Sequence, residues 1–290
     1  MYKIETYEEQ SFVMYRLSDP EAESWVTICP ERGGIITSFG IGGEELLYLN
    51  KETLYDRAKN IRGGIPILFP ISGQLEGGRY EWGGKTYQMP NHGLARIHPW
   101  EVLETTTEED RASVTVSFVS SIGTKESFPF DFEVLFTYTI TPNQLIINQT
   151  YRNLSNEAMP IYAGLHPYFK SETKTVNLKT DATQYLDYND DMVKDFTGSV
   201  DLEGKKEAVV LLDAKERTIS AQLDSPSEIV MDTGAEFAYT VLWTEQGKEF
   251  VCIEPWMAKT NELNRKEELQ LIPAHEVLRT SVSFKINQNN

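Results

Sequence analysis

Four histidines occur in the chain, at His92, His98, His166 and His275. Two short proline-anchored segments carry the residues best suited to acid–base chemistry. In Gly164-Leu-His166-Pro-Tyr-Phe169, the proline pushes His166 into an extended conformation, and Gly164 lets another piece of chain come close. An imidazole fixed in this way is a candidate proton donor or acceptor near neutral pH. Taken alone, the segment fits a packed, hydrogen-bonded core histidine equally well. In Cys252-Ile-Glu254-Pro-Trp256, a second proline again enforces extension. A carboxylate between cysteine, isoleucine and tryptophan is partly desolvated, which raises its pKa and its basicity. The alternative for Glu254 is a surface glutamate at a strand end.

Two glycine-rich segments each contribute an arginine. They are Ile61-Arg62-Gly-Gly-Ile-Pro66 and Pro90-Asn91-His92-Gly-Leu-Ala-Arg96. Arginine suits phosphate because its planar fork donates two parallel hydrogen bonds. In an acidic chain, Arg62 and Arg96 could equally be structural ion-pair residues. His98 stands two residues after Arg96 and before Pro99, where packing or indirect support of the site is expected. His275 falls in a Pro-Ala-His-Glu stretch that reads as a solvated turn.

The elements that must hold these groups are strands. Apolar and polar residues alternate over 112–119, 132–140, 145–151, 24–29, 218–223, 239–243 and 278–286. Such stretches, rich in Val, Ile, Thr, Tyr and Phe and bounded by turn residues, read as half-buried strands. Thr141-Pro-Asn143 and Gly83-Gly84 read as hairpin turns. Helical signals are confined to residues 52–59 and 261–269. Many short strands with long loops predict an all-β fold, a large antiparallel β-sandwich. With no linker, low-complexity run or internal repeat in view, residues 1–290 are expected to form one domain. Residues 60–100, 160–170 and 252–264 break the alternation, and in an all-β scaffold such irregular segments usually carry function.

The 27 basic and 44 acidic residues give a net charge of −17. That field disfavours nucleic acid and anionic membranes as partners, and an anionic small molecule would need a local basic cluster. The two cysteines, Cys29 and Cys252, form no CxxC pair, which argues against a metal knuckle or a disulfide scaffold. With an acidic N-terminal segment and no run of about 18 apolar residues, a cytoplasmic enzyme is expected. The histidine spacings fit no zinc motif, so neither metal nor cofactor is expected. Oligomeric state is not legible.

Taken together, the motifs resemble the galactose mutarotase (aldose 1-epimerase) superfamily. In chain order they are Glu31-Arg-Gly-Gly-Ile-Ile36, Asn91-His92-Gly, the His166-Pro-Tyr-Phe block and the Glu254-Pro-Trp block. Arg62-Gly-Gly-Ile-Pro, Phe69-Pro70, His92-Gly-Leu-Ala-Arg96 and Trp100 are more similar to its glucose-6-phosphate 1-epimerase branch. The resemblance implies a β-supersandwich with an open sugar cleft. It implies His166 as general acid, Glu254 as general base, and His92 as a sugar-binding histidine. It also implies that Arg62 and Arg96 hold a 6-phosphate. The family often lines the cleft with an aspartate, for which Asp187, Asp190, Asp191, Asp195 and Asp201 are candidates. Trp256 and the segment Ile71–Glu76 depart from the usual pattern. The expected substrate is a hexose 6-phosphate, with a free hexose or non-catalytic sugar binding as alternatives.

Overall fold

A computed structural model describes residues 1–224 and 228–287. Most of the chain lies in antiparallel strands, arranged as one sheet of five, one of nine and one of eight, with two small two-stranded ribbons. The strand expectations at Ser24–Cys29, Ala112–Val119 and Tyr239–Trp243 match the observed strands end for end. Thr141 to Asn143 connect Phe132–Thr141 to Gln144–Asn153. Gly83 and Gly84 turn the chain between Arg79–Trp82 and Lys85–Gln88 with φ of 57° and 75°. Positive φ at both central positions is what a tight primed hairpin turn requires.

The helices are shorter than the sequence suggests. The first spans Lys51–Tyr55, with Asn50 accepting from the Thr53 amide, and another spans only Glu262–Arg265. The sequence reading overlooked a third, Ile122–Ser127, which opens on a reciprocal Ser121–Thr124 capping box. Five residues cannot sustain a helix by propensity, so these turns persist because their surroundings fix them.

The eight-stranded sheet positions the site. At its centre lies Phe250–Trp256, all seven residues buried. Alternation along this strand divides its side chains between two environments. Val251 and Ile253 join the main apolar core, which also draws Val26 and Phe39 from the five-stranded sheet and Val114 and Phe136 from the nine-stranded one. Cys252, Glu254 and Trp256 point to the opposite face, among Tyr168, Phe250, Leu68, Val210 and Val241. One strand thus anchors itself in the core with its odd residues and presents functional groups with its even ones.

Candidate active site

His166 reaches the same face from the neighbouring strand segments. Gly164 pairs with Trp256, and Tyr168 pairs with Cys252. This register sets His166 opposite Glu254, with Pro167 interrupting the ladder beside it. The His166 amide donates to the Pro66 carbonyl at 3.0 Å, continuing the register that pairs Leu165 with Ile67. Gly164 is required for the approach, because a Cβ there would lie 2.9 Å from Trp256 Cδ1. His166 Nδ1 and Glu254 Oε1 come within 3.5 Å. His166 is 6% exposed and Glu254 1%, so Glu254 is not the surface residue that its strand-end position allowed. The His166 ring stacks on Tyr168 at 4.6 Å between centroids and meets Trp243 edge-on at 5.8 Å.

His92 sits in a left-handed turn (φ 62°) within the irregular segment after residue 60. Its Nδ1 accepts from the Gly73 amide at 3.0 Å. That bond requires a lone pair on Nδ1, so a neutral ring carries its hydrogen on Nε2. The His92 ring lies edge-on to His166 at 5.3 Å and to Trp256 at 5.8 Å.

All five predicted site residues line one cleft of about 630 Å³. This is within the roughly 300–1,000 Å³ typical of small-molecule sites. Arg62 is held at its backbone by the first helix: its amide donates to Thr53 Oγ1 and its carbonyl accepts from the Asn50 amide. Its Nε pairs with Glu245 Oε2 at 3.2 Å, half-exposed on both sides, and its guanidinium stands 5.6 Å from the Trp243 ring centre. The ion-pair alternative therefore describes part of Arg62. It does not describe Arg96, which makes no salt bridge among the described residues. Arg96 Nη2 donates to the Asn91 carbonyl at 2.7 Å, while its Nε is buried without a partner.

The cleft also contains groups the sequence reading did not single out, notably Trp243, Lys206 and Tyr188. Trp243 was recoverable by alternation, since it pairs with Cys252 while Val241 pairs with Glu254. Of the five candidate aspartates, Asp191 alone lines the cleft. Asp187 is fully buried and tied to Lys194 and Lys205 at 2.7 and 2.6 Å. His98 stacks on Phe118, the expected packing role. His275 is exposed and pairs with Asn156. A second depression, lined by Glu44, Glu45, Glu172, Asp224 and Glu249 around Lys170, holds none of the predicted residues.

Burial governs the electrostatics. It drives the Glu254 carboxyl well above the ordinary range, opposed by the Trp256 N–H and the charge of Arg96. Burial likewise drives His166 well below the usual imidazole value, reinforced by Arg96 and Arg62. His92 is lowered for the same reasons, burial first, and Arg96 is itself lowered to about 10 by burial. Burial, with Glu254 adding to it, also keeps the Cys252 thiol protonated. His166, Cys252 and Glu254 place possible ligand atoms within 4.8 Å of one another. Two of these three are the predicted acid and base, and burial keeps the third a protonated thiol. Among the described residues no helix is long and apolar enough to cross a membrane, and both cysteines are free and buried.

A carboxyl and an imidazole facing each other on the wall of an open cleft can exchange protons with a polar small molecule. A solved structure from Synechocystis sp. is 31% identical over 100% of both chains, with a TM-score of 0.92. A galactose mutarotase-like protein from Clostridium acetobutylicum is 20% identical over 99% of each chain, with a TM-score of 0.83, and shares the fold. A curated Salmonella typhimurium protein, provisionally named glucose-6-phosphate 1-epimerase, is 29% identical over 102 residues. The match covers 34% of this chain and 31% of that protein. The family model described as aldose 1-epimerase matches residues 14–274, and the chain belongs to this family.

Proposed function

We propose that the protein is a cofactor-independent isomerase that interconverts the α and β anomers of a hexose 6-phosphate. The observation that carries the reading is the opposition of His166 and Glu254 at 3.5 Å on the wall of the cleft. Mutarotation requires one proton acceptor at the anomeric hydroxyl and one donor at the ring oxygen. Burial favours the pair's shared proton on Glu254. In the reactive form that proton sits on His166 Nδ1, leaving Glu254 a carboxylate and His166 an imidazolium. Glu254 takes the proton from O1, and the O1 electrons form the carbonyl as the C1–O5 bond breaks. His166 gives its proton to O5. Its Nδ1 is buried toward Glu254, which leaves Nε2 as the nitrogen toward the sugar. Rotation about C1–C2 turns the other face of the aldehyde to O5. Reclosure returns both protons, so neither residue changes over a cycle.

The phosphate reading rests on Arg96. The partly exposed Arg96 guanidinium has no carboxylate partner among the described residues and a buried Nε without a partner, an arrangement that an anion in the cleft would complete. Arg62 and Lys206 stand on the same cleft, which supplies the local basic cluster that a chain of net charge −17 needs for an anionic substrate. His92 and Asp191 line the same cleft, and we assign them to the sugar hydroxyls. A second reading, an epimerase of free hexoses, is favoured by the Glu245 counter-ion that Arg62 already has. We also read residues 1–290 as one domain around a shared core, and the two buried free thiols as suited to a cytoplasmic setting.

The test is saturation-transfer NMR of anomer exchange with glucose 6-phosphate, glucose and galactose, with and without protein. Acceleration of the phosphate ester alone supports the first reading, and acceleration of the free sugars the second. Saturable binding with no acceleration of any of them would leave a sugar-binding protein on this fold.

A further inference from the structure

Glu254 has two oxygens in different situations. Oε2 accepts from Trp256 Nε1 at 3.0 Å. Oε1 stands 3.5 Å from His166 Nδ1 and takes no hydrogen bond among the described residues. The indole that holds Oε2 is itself clamped. A Cβ on Gly164 would lie 2.9 Å from its Cδ1, and a Cβ on Gly73 would lie 3.0 Å from its Cζ3. His92 meets it edge-on, and Leu68, Val210 and Val241 pack around it. Trp256 is 4% exposed, so its N–H would be a buried unsatisfied donor without the carboxylate. The strand delivers the geometry: Glu254 and Trp256 are two residues apart on one face, and Trp256 is pinned between Gly164 and Tyr239 in the ladder.

We propose that Trp256 is the positioning residue of the general base, holding Glu254 by Oε2 and so leaving Oε1 as the oxygen that exchanges protons with the sugar. This rests on the epimerase reading. The contact has a second effect. A carboxyl that burial keeps permanently protonated could not act as a base. A donor fixed on Oε2 favours the ionised form and offsets part of the burial. Trp256 thus sets both which oxygen reacts and the pH above which it can.

The experiment replaces Trp256 with 3-benzothienylalanine, which keeps the ring shape but has sulfur in place of N–H, and in parallel makes Trp256→Phe. Anomer exchange of glucose 6-phosphate is followed across pH, and the Glu254 carboxyl is titrated by ¹³C NMR. In both variants kcat should fall about 10- to 100-fold, with KM changed by no more than about twofold. The acid limb and the ¹³C titration should move up by about one to two pH units. Should the limb and the titration stay in place, or should KM alone rise, Trp256 merely packs the cleft and the proposal falls. The NMR titration needs no turnover. An inactive wild type would therefore sink the epimerase reading, while an unshifted titration sinks the positioning role.

Discussion

His166 and Glu254 face each other across two neighbouring strand segments, on the one register that pairs Gly164 with Trp256 and Tyr168 with Cys252. Their separation in sequence is large and their separation in space is 3.5 Å. Because the side-chain period of a strand is two, a slip of one residue would turn Glu254 into the core and Ile253 into the cleft. The placement of the two side chains is therefore as well determined as the core itself.

Removing either member should stop the chemistry and spare the fold. His166→Asn and Glu254→Gln are expected to lower kcat for anomer exchange by about 10²–10⁴-fold, the usual worth of a positioned acid or base. The double variant should lose little beyond the worse single one, because the two act in one step. Far-UV circular dichroism and an unchanged KM would tie the loss to chemistry. A kcat that survives both substitutions would mean another pair does the work.

Much of this site was legible before the fold was known, and the reason is local. Pro167 and Pro255 each constrain the residue before them, so the extended backbone at His166 and Glu254 could be read from dipeptides. Arg62, His92 and Arg96 stood out because glycines beside them marked close backbone approach. What escaped was set by strand register. Trp243 faces the cleft because it pairs with Cys252 in the neighbouring strand, and Asp191 is set apart from the other candidate aspartates only by its place in the turn between Asp187 and Met192. The same holds for fold details. Strand ends bounded by turn residues were recovered, whereas the short helices ended where tertiary contacts stopped holding them.

The arginines should separate phosphorylated from free sugars. Arg96→Met is expected to raise KM for glucose 6-phosphate by about 10- to 100-fold, the worth of charged hydrogen bonds, and to leave any free-hexose turnover unchanged. Arg62→Met should cost less, since Arg62 is half-exposed and shared with Glu245. Because Arg96 makes no salt bridge among the described residues and its buried Nε has no partner, its loss should leave the thermal midpoint equal or higher. A lower midpoint with unchanged KM would make Arg96 structural.

Substrate charge should also show in the pH profile. Burial and then the positive charges of Arg96 and Arg62 hold His166 below its ordinary value. A bound phosphate dianion neutralises those charges and lifts the imidazole pKa, so His166 keeps its proton to higher pH in the complex than in the free enzyme. The alkaline limb of kcat, which reports the complex, should lie at higher pH than that of kcat/KM, which reports the free enzyme. Coincident limbs with a hexose 6-phosphate would show that the phosphate does not reach the arginines.

Asp187, fully buried beside its two lysines, should make stability depend on pH. Burial alone would raise this carboxyl, but hydrogen bonds from Lys194, Lys205 and Asn189 outweigh it and hold it below the ordinary range. A carboxyl depressed in the folded state adds stability that is fully present above its unfolded value, about 4. That stability is lost as pH falls through the folded value. Asp187→Asn leaves two lysines without their shared partner, although both are only partly buried and can turn toward water. The expected cost at pH 7 is about 2 kcal/mol, below the roughly 3–5 kcal/mol for a wholly buried pair. Urea unfolding at pH 7 and pH 3 checks the sign: the deficit should narrow at the lower pH. An equal deficit at both would assign the loss to packing, since charge alone makes it depend on protonation.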